Sequence, residues 1–447
     1  MANNSIARAR PAAAGALRER VGLAGVVMFG AGTAIGVSIF TVLAPTAQIA
    51  GSGLLVAVLL AAVPMILFAV VYGFMSSAVP RSGASFEWPT RFVHPLVGFM
   101  IAWLRIVGNV GVMTVLTTVL IDYVGAAIPV PATAAKVVLI TAIFAINYVG
   151  VAAAARAQIV MMTVLLVALG VFVASGTPHV ELSVIGNPLA VGWPAIFAAV
   201  PLMISLFLGI ESATEIGEEV RNARRTIPLG IALAVGLTAA VYLLVSFVTL
   251  GLLGPERLAA STAPLLEAAQ VPLGTLATPI MLGAAAVAIL KTMNSSGLVF
   301  SRFLFAMGRS GALPLVMGRV HPRFGTPHVA IIVAWLACLS GLLMPSNLVF
   351  LLLAVNIPTM LKYLASSWSA VRLVNRHPEL HAAAALAFRA STVRMTAWAA
   401  ILCGAGIIVA GLGADWRPYA LIGTWGVAGL AWWFVRARRT APGGAAA

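Results

Sequence analysis

The chain has 447 residues, of which 61% are hydrophobic and only 9% charged, and its mean hydropathy is +1.05. A soluble domain carries about 25% charged residues, so an ordinary soluble fold is excluded. Apolar runs of roughly 20 residues recur along the chain and predict an all-α integral membrane protein. A net charge of +15 would suggest a nucleic-acid partner in a soluble protein; a membrane topology explains it instead, and no nucleic acid is expected.

A polar, arginine-rich segment, residues 1–20, leads straight into a long apolar stretch. A signal peptide has a shorter apolar core and a small-residue cleavage site, so this stretch reads as an uncleaved first helix. Twelve spans are predicted, at 21–47, 54–78, 97–123, 134–151, 156–176, 195–217, 228–252, 276–305, 328–345, 348–373, 395–412 and 418–436. Cys338 and Cys403 fall inside spans and read as buried small hydrophobes. The six histidines lie in loops or at span ends without zinc-site spacing, and no metal site is expected.

With the N-terminus placed in the cytoplasm, 21 of the 27 basic residues fall in cytoplasmic segments. Only Lys136, Arg257 and Arg417 lie outside, and Arg105, Lys291 and Lys362 lie within spans. This bias predicts a multi-pass protein of the cytoplasmic membrane with both termini inside.

Two spans carry signs of a break. The first holds Gly30-Ala31-Gly32-Thr33-Ala34-Ile35-Gly36-Val37-Ser38, and the sixth holds Leu208-Gly209-Ile210-Glu211. Unwound backbone at bilayer depth survives only where it lines a cavity, and such a pair of breaks points to a transporter's substrate site. Each break opens a block of five spans, 21–176 and 195–373, of opposite topology, as inverted repeats require. Two further spans, 395–436, and a tail, 437–447, complete the chain.

A helix restarting after Gly36 would present free N–H groups and a positive dipole end to a substrate carboxylate. The donors would be the N–H groups of Gly36 to Ser38, with the Ser38 hydroxyl. Freed carbonyls near Phe207 and Leu208, with those near Ala34, would receive an ammonium. The alternative is that the glycines serve close helix packing. Glu211 is the sole carboxylate deep in a predicted span and should face protein or water, either in gating, proton binding or contact with a substrate cation, or as a structural tie. Lys291 lies mid-span, and a desolvated lysine gives up its proton more easily than a solvated one. An ammonium can also stand in for a coupling Na⁺; a structural ion pair or a snorkelling side chain is the alternative. Asn294, Ser295 and Ser296 offer oxygen ligands one turn on. Lys362, Arg105 and Asn109 are weaker coupling or gating candidates; the alternatives are that Lys362 snorkels, Arg105 pairs with an acidic neighbour and Asn109 bonds between helices. The loop Glu218 to Pro228 reads as a solvated cytoplasmic turn, with a gating salt bridge as the alternative.

Six motifs in order resemble those of the amino acid–polyamine–organocation superfamily of permeases. Ile35-Gly36-Val37-Ser38-Ile39-Phe40 is similar to the family's I-G-x-G-I-F, and Pro80-Arg81-Ser82-Gly83-Ala84 to its P-x-S-G-G. Asn147-Tyr148-Val149-Gly150-Val151 follows span 4. Leu208 to Glu211 and Asn222 to Pro228 resemble G-F-E and N-x-x-R-x-I-P, and Ser301 to Pro314 resembles S-R-x-x-x-A-M-x-R-x-G-x-L-P. The resemblance covers nearly the whole chain. It implies a leucine-transporter-like 5+5 inverted repeat plus two C-terminal helices, and alternating access around a midplane site.

It further implies that Gly36, Val37 and Ser38, beside Ile35, hold the substrate carboxylate, and that Ala34, Ser205 and Leu208 offer carbonyls to its amino group. Ser205 stands where the arginine/agmatine exchangers place a gating tryptophan, which argues against identical gating. Ser38 replaces the motif's second glycine. The lysine of some proton-coupled relatives is matched by Leu165, so Lys291 is a candidate substitute.

The expected function is secondary active transport of amino acids or related amines, ion-coupled (H⁺ or Na⁺) or by exchange. The protein would sit in lipid as a monomer or homodimer and need no cofactor. A channel, or a non-transporting sensor on the same fold, is the alternative. A channel needs a continuous pore and a filter, and saturable counterflow separates the two. An enzyme is not expected, since no Gly-x-Ser-x-Gly nucleophile or zinc spacing is present.

Overall fold

The computed structural model describes residues 17, 20–36, 38–127, 131–343, 348–412 and 416–440. Val37 and the arginines Arg8, Arg10 and Arg18 lie outside the described residues, as does the side chain of Ser205. The described chain is helical, and its only β-type pairings are the isolated bridges Val21–Val220 and Ser82–Ile216.

The first span is interrupted, as its glycines predict. It runs as α1 (Leu23–Ala34), a four-residue turn α2 (Ser38–Thr41) and α3 (Leu43–Ala50). Then follow α4 (Leu54–Ala78), a short α5 (Ala84–Phe92), α6 (Pro95–Ala127), α7 (Ala132–Val149) and α8 (Val151–Gly176). The turn α9 (Leu182–Ile185) leads to α10 (Trp193–Ile204), which ends in the middle of the predicted sixth span. Beyond it the chain continues as 3-10 turns at Ser205–Phe207, Ile210–Glu215 and Gly217–Glu219, rather than as a second α-helical half. The i→i+3 bonds Ser212 N–H to Gly209 O and Ile216 N–H to Ala213 O carry this tighter winding.

The remaining helices are α11 (Ala223–Ala260), α12 (Pro264–Leu273), α13 (Ala277–Arg309), α14 (His328–Gly341), α15 (Leu348–Arg376), α16 (Pro378–Ala382), α17 (Ala390–Leu412) and α18 (Arg417–Thr440). Each predicted span falls on one of these helices or on a broken pair. Among the described residues, eight helical stretches are long and apolar enough to cross a membrane. Two more, α10 and α14, are apolar but only 12 and 14 residues long.

Two large apolar clusters form most of the interior, with a small third one around Leu104, Ile357 and Ile422. One joins α1, α4, α8, α10 and α11; the other joins α6, α13 and α14. The break in α1 lies at their seam, because α1 packs on α8, α11, α13 and the 3-10 turn 210–215 together.

Candidate functional site

The first break has a clear hydrogen-bond origin. In an unbroken helix Gly36 N–H would donate to Gly32 O. Instead it turns back to Ala34 O at 2.7 Å, while Ile35 N–H closes the last turn on Ala31 O, also at 2.7 Å. The carbonyls of Gly32 and Ile35 are thereby released from helical pairing. A buried carbonyl needs a partner, and Lys291, reaching across from α13, donates from Nζ to both. Its ammonium is fully buried. Among the described residues no carboxylate pairs with it, and its two hydrogen-bond partners are both backbone carbonyls, the kind of ligand that also binds a monovalent cation.

The second break lies directly against the first. Gly209 takes φ 99°, ψ 0°, a left-handed conformation that favours glycine, and a Cβ there would collide with the Thr33 methyl. Three residues earlier in α1, a Cβ on Gly30 would come within 2.6 Å of Ile210 O. Small residues therefore let two unwound segments touch. The Tyr242 hydroxyl of α11 locks them, lying 2.7 Å from Ala34 O and 2.7 Å from Leu206 O. Phe207, fully buried, packs edge-on against the same ring at 5.5 Å. Ser295 of α13 meets the Thr33 hydroxyl, and that hydroxyl also bonds Phe29 O.

Glu211 faces protein, as expected, and its partner is Lys362. The two form a buried ion pair, and the Tyr363 hydroxyl donates to the other carboxylate oxygen at 2.6 Å. Gly209 N–H donates to the same hydroxyl at 3.3 Å, which ties the pair to the second break. Lys362 therefore does not snorkel. Burial in a dry interior leaves its charge dependent on Glu211 and on the Tyr363 ring, 4.7 Å away.

The other candidates are turned elsewhere. Asn294 donates to Ala154 O and to Gln158 Oε1, both at 3.0 Å, and so fastens α13 to α8. Asn109 donates to Arg105 O, on its own helix, at 2.8 Å. Arg105 reaches Ser85 at 3.3 Å, and Ser85 in turn donates to the fully buried Glu215, so the expected acidic neighbour is met through a hydroxyl.

The loop expected to be solvated is partly buried. Glu219 and Arg302, both fully buried, form a two-point ion pair at 3.2 and 3.0 Å. Glu218 bonds Arg309 at 2.7 Å and Arg81 at 3.3 Å. Its partial burial raises the carboxyl pKa, but these two guanidinium groups outweigh burial and hold it below the usual Glu value. The reason for the burial is the backbone pairing of 219–221 with Arg20 and Val21, which draws the segment inward.

Tyr242, Tyr363, Thr33 and the Arg302–Glu219 pair are absent from the sequence-based list. Tyr242, an isolated phenol in an apolar run, carried a signal; the others gain meaning only from chain approach.

A family model described as amino acid permease matches residues 21–428, nearly the whole chain. The chain belongs to the amino acid permease family. This permease is 36% identical over 318 residues to an uncharacterized transporter of Mycobacterium tuberculosis (strain ATCC 25618 / H37Rv), covering 70% of this chain and 71% of that one. It is 24% identical over 394 residues to the branched-chain amino acid permease BcaP of Bacillus subtilis (strain 168), with 81% and 83% covered. It is 25% identical over 383 residues to the methylthioribose transporter of the same organism, with 80% and 81% covered. The permease is thus a multi-pass membrane transporter.

Proposed function

We propose that the permease is a secondary active transporter of neutral amino acids, working by alternating access about the paired breaks. The observation that carries this reading is the meeting of two unwound segments, one carbonyl from each lying 2.7 Å from a single tyrosine hydroxyl. Such a centre offers helix-start N–H groups at and beyond Ser38 for a carboxylate and unwound carbonyls around Phe207 and Leu208 for an ammonium. Ala34 O already receives Gly36 N–H and lies against Tyr242, so the burden on the ammonium side falls on the second break. Glu211 is neutralised by Lys362, and Lys291 is satisfied by carbonyls. Both side chains already have hydrogen-bond partners, so neither is free to bind a charged substrate, which favours a zwitterion.

The blocks 21–176 and 195–373 are the two inverted repeats of this reading, set in the cytoplasmic membrane with both termini inside. In this reading the Lys291 amine, held by two carbonyls, takes the part of a coupling Na⁺, so transport is Na⁺-independent and coupled to protons or to exchange. The name of the Bacillus branched-chain permease agrees with an amino acid substrate, and that of the methylthioribose transporter widens the screen. Thermal stabilisation of the purified protein by amino acids, amines and methylthioribose tests the reading. A ligand at about 100 times its Kd stabilises by about 2.7 kcal/mol; a flat response to every neutral amino acid refutes it.

A further inference from the structure

Away from the breaks, the start of α1 and the first turns of α8 enclose an open cavity of about 510 Å³, lined by Val21, Gly22, Ala24, Gly25, Ala152, Ala155 and Ile159 and by three arginines, Arg20, Arg156 and Arg221. The arginines come from three chain segments. Two of them are brought together by backbone pairing: Arg20 N–H donates to Glu219 O and Arg221 N–H to Val21 O, each at 2.9 Å. The third stands on α8, its Nε at 3.3 Å from Ala152 O. All three are exposed, and among the described residues none forms an ion pair, although Glu218 and Glu219 in the adjoining segment are both engaged by other arginines. Three like charges thus converge on one apolar hollow without an anion.

The hollow exists because small residues line both helices where larger ones would interdigitate. A Cβ on Gly22 would meet nothing within 4 Å. On α8, Arg156 heads a stripe of exposed valines, Val160, Val164, Val167 and Val171. The spacing of four, four, three and four residues places them on one helix face. A cluster of cations lining an apolar hollow, with exposed valines continuing from Arg156 along α8, is complementary to one kind of molecule. We propose that the cavity binds an anionic phospholipid, its phosphate held by Arg20, Arg156 and Arg221 and an acyl chain laid along the α8 valines. Basic pockets between membrane helices recognise acidic headgroups by the same chemistry.

The test uses the purified full-length protein, delipidated in detergent and titrated with dioleoyl-phosphatidylglycerol under native mass spectrometry, with dioleoyl-phosphatidylcholine and inorganic phosphate as parallel arms. Phosphatidylglycerol should bind and the other two should not compete with it. Each arginine beside an anionic headgroup contributes about fivefold, so Arg20→Gln/Arg156→Gln/Arg221→Gln should weaken binding roughly a hundredfold. Gly22→Leu keeps every charge but fills the hollow. The Gly22 backbone is extended (φ −92°, ψ −176°), so leucine fits without strain, and this variant should also lose the lipid. A control with three exposed arginines elsewhere, Arg376→Gln/Arg389→Gln/Arg394→Gln, should stay within about twofold of the parent, because the effect fades with distance from the headgroup. Equal binding of the two lipids, displacement by inorganic phosphate, full binding by Gly22→Leu, or an equal loss in the control would each overturn the proposal.

Discussion

The buried pair Arg302–Glu219 is the firmest place to test how the arginine-rich end is held. Both side chains are fully buried, and they meet through two contacts, Nε to Oε2 at 3.2 Å and Nη2 to Oε1 at 3.0 Å. The remaining Arg302 nitrogen, Nη1, is 3.0 Å from Ser301 Oγ. Removing the carboxylate strands a guanidinium in a dry interior, and breaking a buried pair in this way costs about 3–5 kcal/mol. Glu219→Ala and Arg302→Ala should each lose that much. The double variant should lose far less than the sum, because no charge is then left unpaired, which gives a coupling energy of about 2–4 kcal/mol. The assay is reversible unfolding from mild detergent into SDS, read as a double-mutant cycle. Single losses below about 1 kcal/mol that simply add would match a solvated surface pair and refute the burial argument.

Other consequences are equally open to measurement. Lys291→Met removes the donor to Gly32 O and Ile35 O; transport should fall and lose its pH dependence, and a Lys291→Ala protein that transports with unchanged pH dependence removes lysine from the coupling. Tyr242→Phe leaves Leu206 O without the hydroxyl and should cost about 1–3 kcal/mol of stability, checked by the same unfolding assay. Gly209→Ala, with φ 99° and the Thr33 methyl in the way, should abolish uptake in vesicles even where the protein still assembles. The Glu218 carboxyl is held below its ordinary value of 4.5, so its ionic contacts stabilise the fold fully above that pH and fade as pH falls through the lowered value. The stability gap between wild type and Glu218→Gln, followed by thermal melts across an acid series, should therefore be constant above pH 4.5 and close below it.

Much of the fold was legible because the bilayer imposes one rule: long apolar runs become helices. The first break was legible from glycine density, and the second from a carboxylate placed where lipid forbids one. What the pattern could not supply was pairing. Glu211 and Lys362 are 151 residues apart, and nothing local to either names the other. Lys362 alone reads as a snorkelling side chain; only the packing of α15 against the second break makes it a counter-ion. Glu219 sits in a run of mixed charge that looks solvated, and its burial follows from a backbone pairing with Val21 that sequence periodicity does not report. Asn294 shows the reverse error. Its place one turn from Lys291 suggested a ligand, whereas the helix rotation turns it to α8.

The central claim is that two broken helices form a binding centre that moves a zwitterion across the membrane. Counterflow in proteoliposomes tests it most directly: vesicles loaded with unlabelled substrate, identified by the stabilisation screen, are diluted into trace label. The account predicts transient accumulation of label, saturable, Na⁺-independent and lost in Gly209→Ala. Vesicles that gain no label from any neutral amino acid, or flux that rises linearly without saturation, would contradict it.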